Sequence, residues 1–186
     1  MGDAEIAESQ EPWRADPGFR KALGYTALLD IILGNFDRTI GYLGPQNWKV
    51  ERPNATLHLI DNLQRGVGLE IPFEVWRQNQ WVQQARARDW AGIKTRLDGN
   101  WMTDPQWMLI PHPEKNAWFN DFIGGMQEAW GDLDGIQQNF RASAGNSPEV
   151  GQLMVRIDYV RGWKKAVKKG WVAGVIPQAG SDDSSS

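Results

Sequence analysis

The sequence predicts a mainly α-helical domain with one small β-hairpin. Apolar residues recur every three or four positions along most of the chain, whereas residues 47–60 alternate, and proline or glycine marks the segment ends. At 186 residues, 41% hydrophobic and 23% charged, the chain is long enough to bury one core. We expect one domain over residues 16–176, after a mobile acidic lead (1–15) and before a disordered tail (177–186).

The first helix is predicted over residues 17–33. Asp16 is a favoured N-cap residue, Pro17 is favoured in the first turn, and Gly34 is a stop signal. One face between these signals carries residues at helical spacing, namely Phe19, Leu23, Thr26, Leu29 and Leu33. Residues 35–42 are then expected to form an exposed loop.

Two short strands are predicted after this loop, over residues 47–50 and 56–60. The turn residues Glu51-Arg52-Pro53-Asn54 separate them, which favours a β-hairpin. The hairpin would return Asp61 toward the loop that carries Asp37.

The rest of the chain is predicted to be helical. Amphipathic spacing indicates a helix over residues 73–96, followed by a loop rich in glycine, asparagine and proline. A second helix is predicted over residues 114–130, and a shorter one carries Leu133, Ile136 and Phe140. Ser147-Pro148 repeats the start signal, and the last helix is expected to reach about Trp171.

The polar side of this last helix is strongly basic in its second half. Its cationic residues are Arg156, Arg161, Lys164, Lys165, Lys168 and Lys169. The pattern fits a solvated face that complements the negative end of the helix dipole, and it also fits a patch for phosphate, nucleic acid or an acidic partner. The net charge of −3 argues against attraction of nucleic acid to the whole surface.

Composition excludes several classes of site. The chain has no cysteine, which excludes disulfides, thiolate nucleophiles and cysteine-based zinc sites. His58 and His112 lack metal-ligand spacing, so each is expected to be structural or solvated. No apolar run is long enough to span a membrane and no signal-peptide region begins the sequence, so a cytoplasmic location is expected. The 11 tryptophans indicate an aromatic core and a subunit interface, or else stacking platforms for bases or sugars.

Residues suited to phosphoryl transfer occur in the loop and after the second strand. Such a reaction needs a carboxylate to orient the acceptor hydroxyl, metal ligands, and a cation near the moving group. Asp37 fits the first role, and Arg38 is placed to hold Asp37 or a phosphate. Asp61 fits Mg²⁺ or Mn²⁺, with an amide oxygen from Asn35 or Asn62. A purely structural interpretation stays open, because an aspartate after a strand often caps a turn.

These residues also carry a resemblance to a known family. The segments Gly34-Asn35-Phe36-Asp37-Arg38 and Leu57-His58-Leu59-Ile60-Asp61-Asn62 resemble the catalytic core of the atypical kinases related to the Golgi casein kinase and the secreted xylose kinases. The similarity to phosphoinositide kinases and HipA-type toxin kinases is more distant. It implies a protein-kinase-like C-lobe, with Asp37 as catalytic base, Asp61 as metal ligand, and ATP with Mg²⁺ or Mn²⁺ as cofactors.

The chain departs from the family pattern at several positions. Thr39 stands where the family has histidine, Leu63 where it usually has glycine, and Tyr42 where ordinary protein kinases have a metal-binding asparagine. The match covers about residues 30–68. Only 36 residues precede Asp37, and they contain neither Gly-x-Gly-x-x-Gly nor Val-Ala-x-Lys. The resemblance is therefore to a C-lobe without its N-lobe.

Three hypotheses follow. In the first, the chain is the C-lobe subunit of a split ATP-dependent kinase whose N-lobe comes from a partner chain. In the second, it is a non-catalytic, pseudokinase-like interaction module of a protein complex. In the third, its basic last helix binds nucleic acid, which the acidic net charge disfavours. The first two predict a protein partner, because an isolated C-lobe would expose the apolar surface that meets its N-lobe.

Overall fold

The computed structural model describes residues 16–36, 39–40, 48–51, 56–59, 69–103, 112–144 and 147–162. This part of the chain is mainly helical, as the sequence predicts. Its elements in chain order are α1 (Pro17–Leu33), β1 (Trp48–Glu51), β2 (Thr56–Leu59), α2 (Phe73–Trp76), α3 (Gln80–Ala87), α4 (Trp90–Thr103), a 3₁₀ turn (His112–Glu114), α5 (Lys115–Gly131), α6 (Leu133–Ala144) and α7 (Pro148–Val160). None of the described helices is both long and apolar enough to cross a membrane.

Helix α1 has the predicted bounds because its two ends are specified locally. The Asp16 side chain accepts a hydrogen bond from the Phe19 N–H at 3.0 Å, and Pro17 occupies the first turn. At the other end Gly34 adopts the left-handed conformation with φ of +83°, which glycine adopts without a Cβ clash.

Helix α1 lies at the centre of the fold and packs most extensively on α5. The two backbones approach closely at Gly24 and Gly125. A Cβ at Gly24 would lie 1.8 Å from the carbonyl oxygen of Phe122, and one at Gly125 would lie 1.9 Å from that of Lys21. Positions advance along α1 as they recede along α5, so the helices are antiparallel. Glycine at both positions is therefore a steric requirement of this crossing.

The hydrophobic core surrounds this helix pair. Leu23, Ile31 and Phe122 are each fully buried within it, and α7 also packs on α1. The indoles of Trp76, Trp81 and Trp118 are buried in the same core, which supports the aromatic-core interpretation for these three tryptophans.

The predicted single helix over residues 73–96 is wrong, because local caps divide it into α2, α3 and α4. The Asn79 side chain accepts from the Trp81 N–H at 2.9 Å and starts α3. Arg88 ends α3 in the left-handed conformation with φ of 55°, and the Asp89 side chain accepts from the Gly92 N–H at 2.9 Å. Apolar spacing continues across these breaks, so periodicity alone does not reveal them.

Helix boundaries near the C-terminus agree in part with the predictions. Helices α5 and α6 are confirmed, and the Ser147 side chain caps α7 by accepting from the Val150 N–H at 3.3 Å. The predicted end of the last helix at Trp171 is wrong: α7 ends at Val160, and Gly162 follows with φ of +78°. The loop predicted after residue 96 is also displaced, since α4 continues to Thr103.

The two strands pair in antiparallel register, with Trp48 opposite Leu59 and Glu51 opposite Thr56. Strand β2 also lies against α1. The connecting residues 52–55 lie outside the described residues, so the hairpin connection stays a prediction. The acidic lead and the polar tail are outside the described part as well.

The close crossing of α1 and α5 predicts a severe penalty for a single methyl group. Gly24→Ala is expected to lower the free energy of unfolding by about 2–3 kcal/mol, because the added Cβ meets backbone that cannot rotate away. Chemical denaturation followed by circular dichroism measures the change.

Gly151→Ala is the matched control on α7, where a Cβ has no neighbouring atom within 4 Å. It is expected to raise stability by about 0.5–1 kcal/mol, the usual gain of alanine over glycine inside a helix. Equal effects of the two substitutions would contradict the close crossing.

Candidate active site

The candidate catalytic loop starts at the C-terminal end of α1. Gly34 donates its N–H to the Asp30 carbonyl at 2.8 Å and to the Ile31 carbonyl at 3.3 Å. Asn35 donates its N–H to the same Asp30 carbonyl at 2.8 Å. The chain thus leaves α1 through a hydrogen-bonded turn that holds Asn35, the first of the predicted site residues, against the helix end.

A buried tryptophan binds the next carbonyl of α1. The Trp76 ring nitrogen donates to the Ile31 carbonyl oxygen at 2.8 Å, and the Trp76 side chain is fully buried. The indole N–H is a donor only, so this bond satisfies both partners. It ties α2 to the same end of α1.

A buried arginine binds the last two carbonyls. The Nη1 group of Arg156 donates to the Leu33 carbonyl at 2.7 Å and to the Ile32 carbonyl at 3.3 Å. Its Nη2 group donates to the Ile71 carbonyl at 2.8 Å, and the guanidinium carbon lies 4.9 Å from the centre of the Trp76 ring. The last four carbonyls of α1 therefore all have protein donors, so this helix end does not depend on water for its hydrogen bonds.

This position overturns the sequence-based view of Arg156 as part of a solvated basic face. The residue is 2% exposed, and burial lowers the pKa of its guanidinium to about 10. It is still a cation at neutral pH, and it lies where the α1 dipole is negative. Arg161, the next cation of the predicted face, forms an ion pair with Asp134 at 2.6 Å. The four lysines of the face lie outside the described residues.

The far side of the candidate loop is also held in place. Thr39 and Ile40 are both fully buried. The Thr39 hydroxyl donates to the Asp30 carboxylate at 2.6 Å, and the Asn100 side chain of α4 donates to the Ile40 carbonyl at 2.8 Å. Residues 39–40 are thus fixed against α1 and α4, rather than forming part of the exposed loop predicted over residues 35–42.

Of the predicted site residues, one lies within the part of the chain that the structure describes and four lie outside it. Asn35 is half-buried at the end of α1. Asp37, Arg38, Asp61 and Asn62 lie outside the described residues, so their catalytic, phosphate-binding and metal-binding roles stay predictions. In sequence, Asp37 and Arg38 fall between two anchored segments, 34–36 and 39–40.

The metal prediction rests on residues that are mostly undescribed. Of its candidate ligands only Asn35 is described, and an amide oxygen is a suitable ligand for Mg²⁺ or Mn²⁺. Within the described ranges there is no group of three or more histidine, cysteine, aspartate or glutamate side chains that would hold a metal ion. His112 packs edge-on against the Trp101 ring, with 5.4 Å between ring centres.

Sequence reasoning assigned no site role to Asp30, Trp76 or Asn100, and it placed Arg156 on a basic face of the last helix rather than at the end of α1. Asp30 carried a signal, because it is a lone charge in the apolar run from Leu28 to Leu33. The sequence contains no such signal for the contacts of Trp76, Arg156 and Asn100, because each of these side chains binds a backbone carbonyl that lies far away in the sequence.

Comparisons with models of protein families, with curated proteins and with solved structures find no match to this chain.

The cap of α1 predicts that Arg156 stabilises the fold through its hydrogen bonds. Arg156→Met keeps much of the apolar side chain but leaves one buried and two partly buried carbonyls without this donor, and we expect a loss of about 2–4 kcal/mol in the free energy of unfolding. Chemical denaturation measures it.

Arg156→Lys keeps the charge but not the planar fork, so it is expected to recover only part of the loss. Arg141→Met, at an exposed position of α6, is the matched control and should stay within about 0.5 kcal/mol of the parent chain. An Arg156→Met protein as stable as the Arg141→Met protein would contradict the role of the cap.

Proposed function

We propose that this chain forms the C-lobe side of a split ATP-dependent atypical kinase. Asp37 acts as the base that orients and deprotonates the acceptor hydroxyl, and Arg38 holds Asp37 or a phosphate. Asp61 binds Mg²⁺ or Mn²⁺, with Asn35 or Asn62 supplying an amide oxygen. The bound metal would neutralise charge on the ATP phosphates. A partner chain supplies the N-lobe.

The observation that carries the proposal is the anchoring of the candidate loop on both sides. Asn35 is bonded to the end of a fully capped helix, and Thr39 is bonded to Asp30, with both Thr39 and Asp30 fully buried. Catalytic groups need a rigid support, since a displacement of about 1 Å costs on the order of 100-fold in rate.

Strand β2 gives the proposal its second support. It lies against α1, and the metal-binding candidate Asp61 follows its last residue, Leu59, by two positions. Asp61 thus follows a strand that contacts α1, and Asp37 follows the end of α1 itself. This arrangement is compatible with a single site that contains both aspartates. The fold class agrees at the coarse level, because a kinase C-lobe is mainly helical.

A second candidate function is a non-catalytic interaction module of the pseudokinase kind. Thr39, which replaces the histidine of the resembling kinases, is buried and bonded to Asp30. This motif position therefore has a packing role that does not require catalysis. The third candidate, nucleic-acid binding, is less favoured because Arg156 is buried and Arg161 is paired with Asp134.

Phosphoryl transfer tests the first proposal. The chain, combined with candidate N-lobe chains, is given ATP with Mg²⁺ or Mn²⁺, and ADP release and protein phosphorylation are measured. Asp37→Asn and Asp61→Asn keep the side-chain shape but remove a negative charge, so each is expected to lower turnover at least about 100-fold. Asp61→Asn should also weaken Mn²⁺ binding, measured by electron paramagnetic resonance.

Asp134→Asn is the matched control, because it removes a carboxylate that is exposed and paired with Arg161. It should keep turnover within about twofold, since exposed ion pairs contribute little. Turnover that survives both Asp37→Asn and Asp61→Asn would rule out the proposed site. Partner binding that survives both, without any turnover in the parent complex, would favour the interaction module.

A further inference from the structure

Three arginines lie on or against helix α3 without a carboxylate partner. Arg86 belongs to α3 and Arg88 is its C-cap residue. Arg96 of α4 donates to the side-chain oxygens of Gln80 and Gln84 of α3, which are neutral groups. Within the described part of the chain none of the three arginines forms an ion pair. We call Arg86, Arg88 and Arg96 the α3 arginine face.

Each guanidinium of this face lies over an aromatic ring. The distance from the guanidinium carbon to the ring centre is 4.0 Å for Arg86 over Tyr159, 3.7 Å for Arg88 over Trp130, and 5.2 Å for Arg96 over Trp81. Such cation–π contacts hold long side chains in place, so less conformational entropy is lost when a partner binds them. The N–H groups of a guanidinium lie in its plane and stay suited to an acceptor at its edge.

Arg88 also has an unfavourable backbone conformation. Its φ is 55°, and among the described residues it is the only one other than glycine with a positive φ. Glycine is the usual residue at such a helix end, because it adopts this conformation without a Cβ clash. A glycine at position 88 would end α3 without the strain, but it would remove an exposed cation. Strain of this kind is common at binding sites.

A purely structural role explains only part of the face. Arg86 and Arg88 lie at the C-terminal end of α3, where cations complement the helix dipole. Arg96 lies in the middle of α4, so the same reason does not apply to it. The neighbouring carboxylate of Asp89 caps α4 by accepting the Gly92 N–H at 2.9 Å, and it does not pair with any of the three arginines.

We infer that the α3 arginine face binds an acidic segment of a partner protein through aspartate and glutamate carboxylates. The planar guanidinium fork matches a carboxylate, and arginine and aromatic residues are both enriched at protein interfaces. The whole chain has a net charge of −3, which disfavours the long row of phosphates in a nucleic acid. A short acidic segment needs only the local cations. This inference does not depend on the proposed function.

The experiment measures binding of a fluorescent glutamate oligomer to the full chain by fluorescence anisotropy. A single-stranded DNA oligomer with the same number of negative charges is the comparison. In the double variant Arg86→Gln with Arg88→Gln, the Kd for the glutamate oligomer is expected to rise at least about 10-fold, because two interfacial cations are lost. Absence of binding to the parent chain at low salt would overturn the inference.

The charge-matched control is the double variant Lys21→Gln with Arg141→Gln. Both residues are exposed, on α1 and α6, and the pair removes the same amount of positive charge. Its Kd should stay within about twofold of the parent value, because the loss of distant exposed charges is screened by salt. Equal effects of the two double variants would overturn the inference, since binding would then follow net charge alone.

Arg88→Gly separates binding from folding. Glycine suits the positive φ, so the denaturation midpoint should stay at or above that of the parent chain. The Kd for the glutamate oligomer should rise about threefold or more, because one cation of the face is lost. An unchanged Kd would remove Arg88 from the face.

Nitrogen-15 NMR of the arginine Nε–H groups locates the contact. Added glutamate oligomer should shift the signals of Arg86, Arg88 and Arg96 and leave that of Arg141 in place. Shifts confined to other arginines would overturn the inference. Tighter binding of the DNA oligomer, with the same loss in the Arg86→Gln and Arg88→Gln double variant, would assign the face to nucleic acid and overturn the protein partner.

Discussion

The structure depends on how the buried end of α1 satisfies its carbonyl groups. Every α-helix ends with four carbonyls that lack a partner within the helix, and at a surface these bind water. Here the end lies in the core, where an unpaired carbonyl costs free energy comparable to a lost hydrogen bond. Backbone N–H groups of Gly34 and Asn35, the indole of Trp76 and the guanidinium of Arg156 take the place of water.

This arrangement explains why distant segments assemble around one point. Arg156 comes from α7 and Trp76 from α2, and each reaches α1 to donate a hydrogen bond. The cation of Arg156 is desolvated, which lowers its pKa, and the negative end of the α1 dipole offsets part of that cost. The turn at the end of this helix also holds Asn35, the first of the predicted site residues, against Asp30.

A second constraint acts at the middle of α1. Gly24 and Gly125 let the backbones of α1 and α5 come closer than any side chain would permit. The close approach limits how far α1 can slide or rotate, because a small shift would bring side chains onto the opposite backbone. The middle of α1 is held by α5 and its end by Arg156 and Trp76. The helix therefore supports Asp30 and the three residues bonded to it, Gly34, Asn35 and Thr39.

Features that depend on neighbouring residues could be predicted from the amino-acid sequence alone. Asp16-Pro17 and Gly34 specify both ends of α1, because capping involves residues within four positions of each other. The residue types at Asp37, Arg38 and Asp61 similarly suffice to nominate a chemistry. The burial of Arg156 could not be predicted in this way, because its carbonyl partners in Ile32 and Leu33 lie 124 and 123 residues away in the sequence. The hydrogen bond between Thr39 and Asp30 is likewise visible only in the folded structure. Helical periodicity predicts which face of a helix a residue occupies, but it does not predict which other groups contact that face.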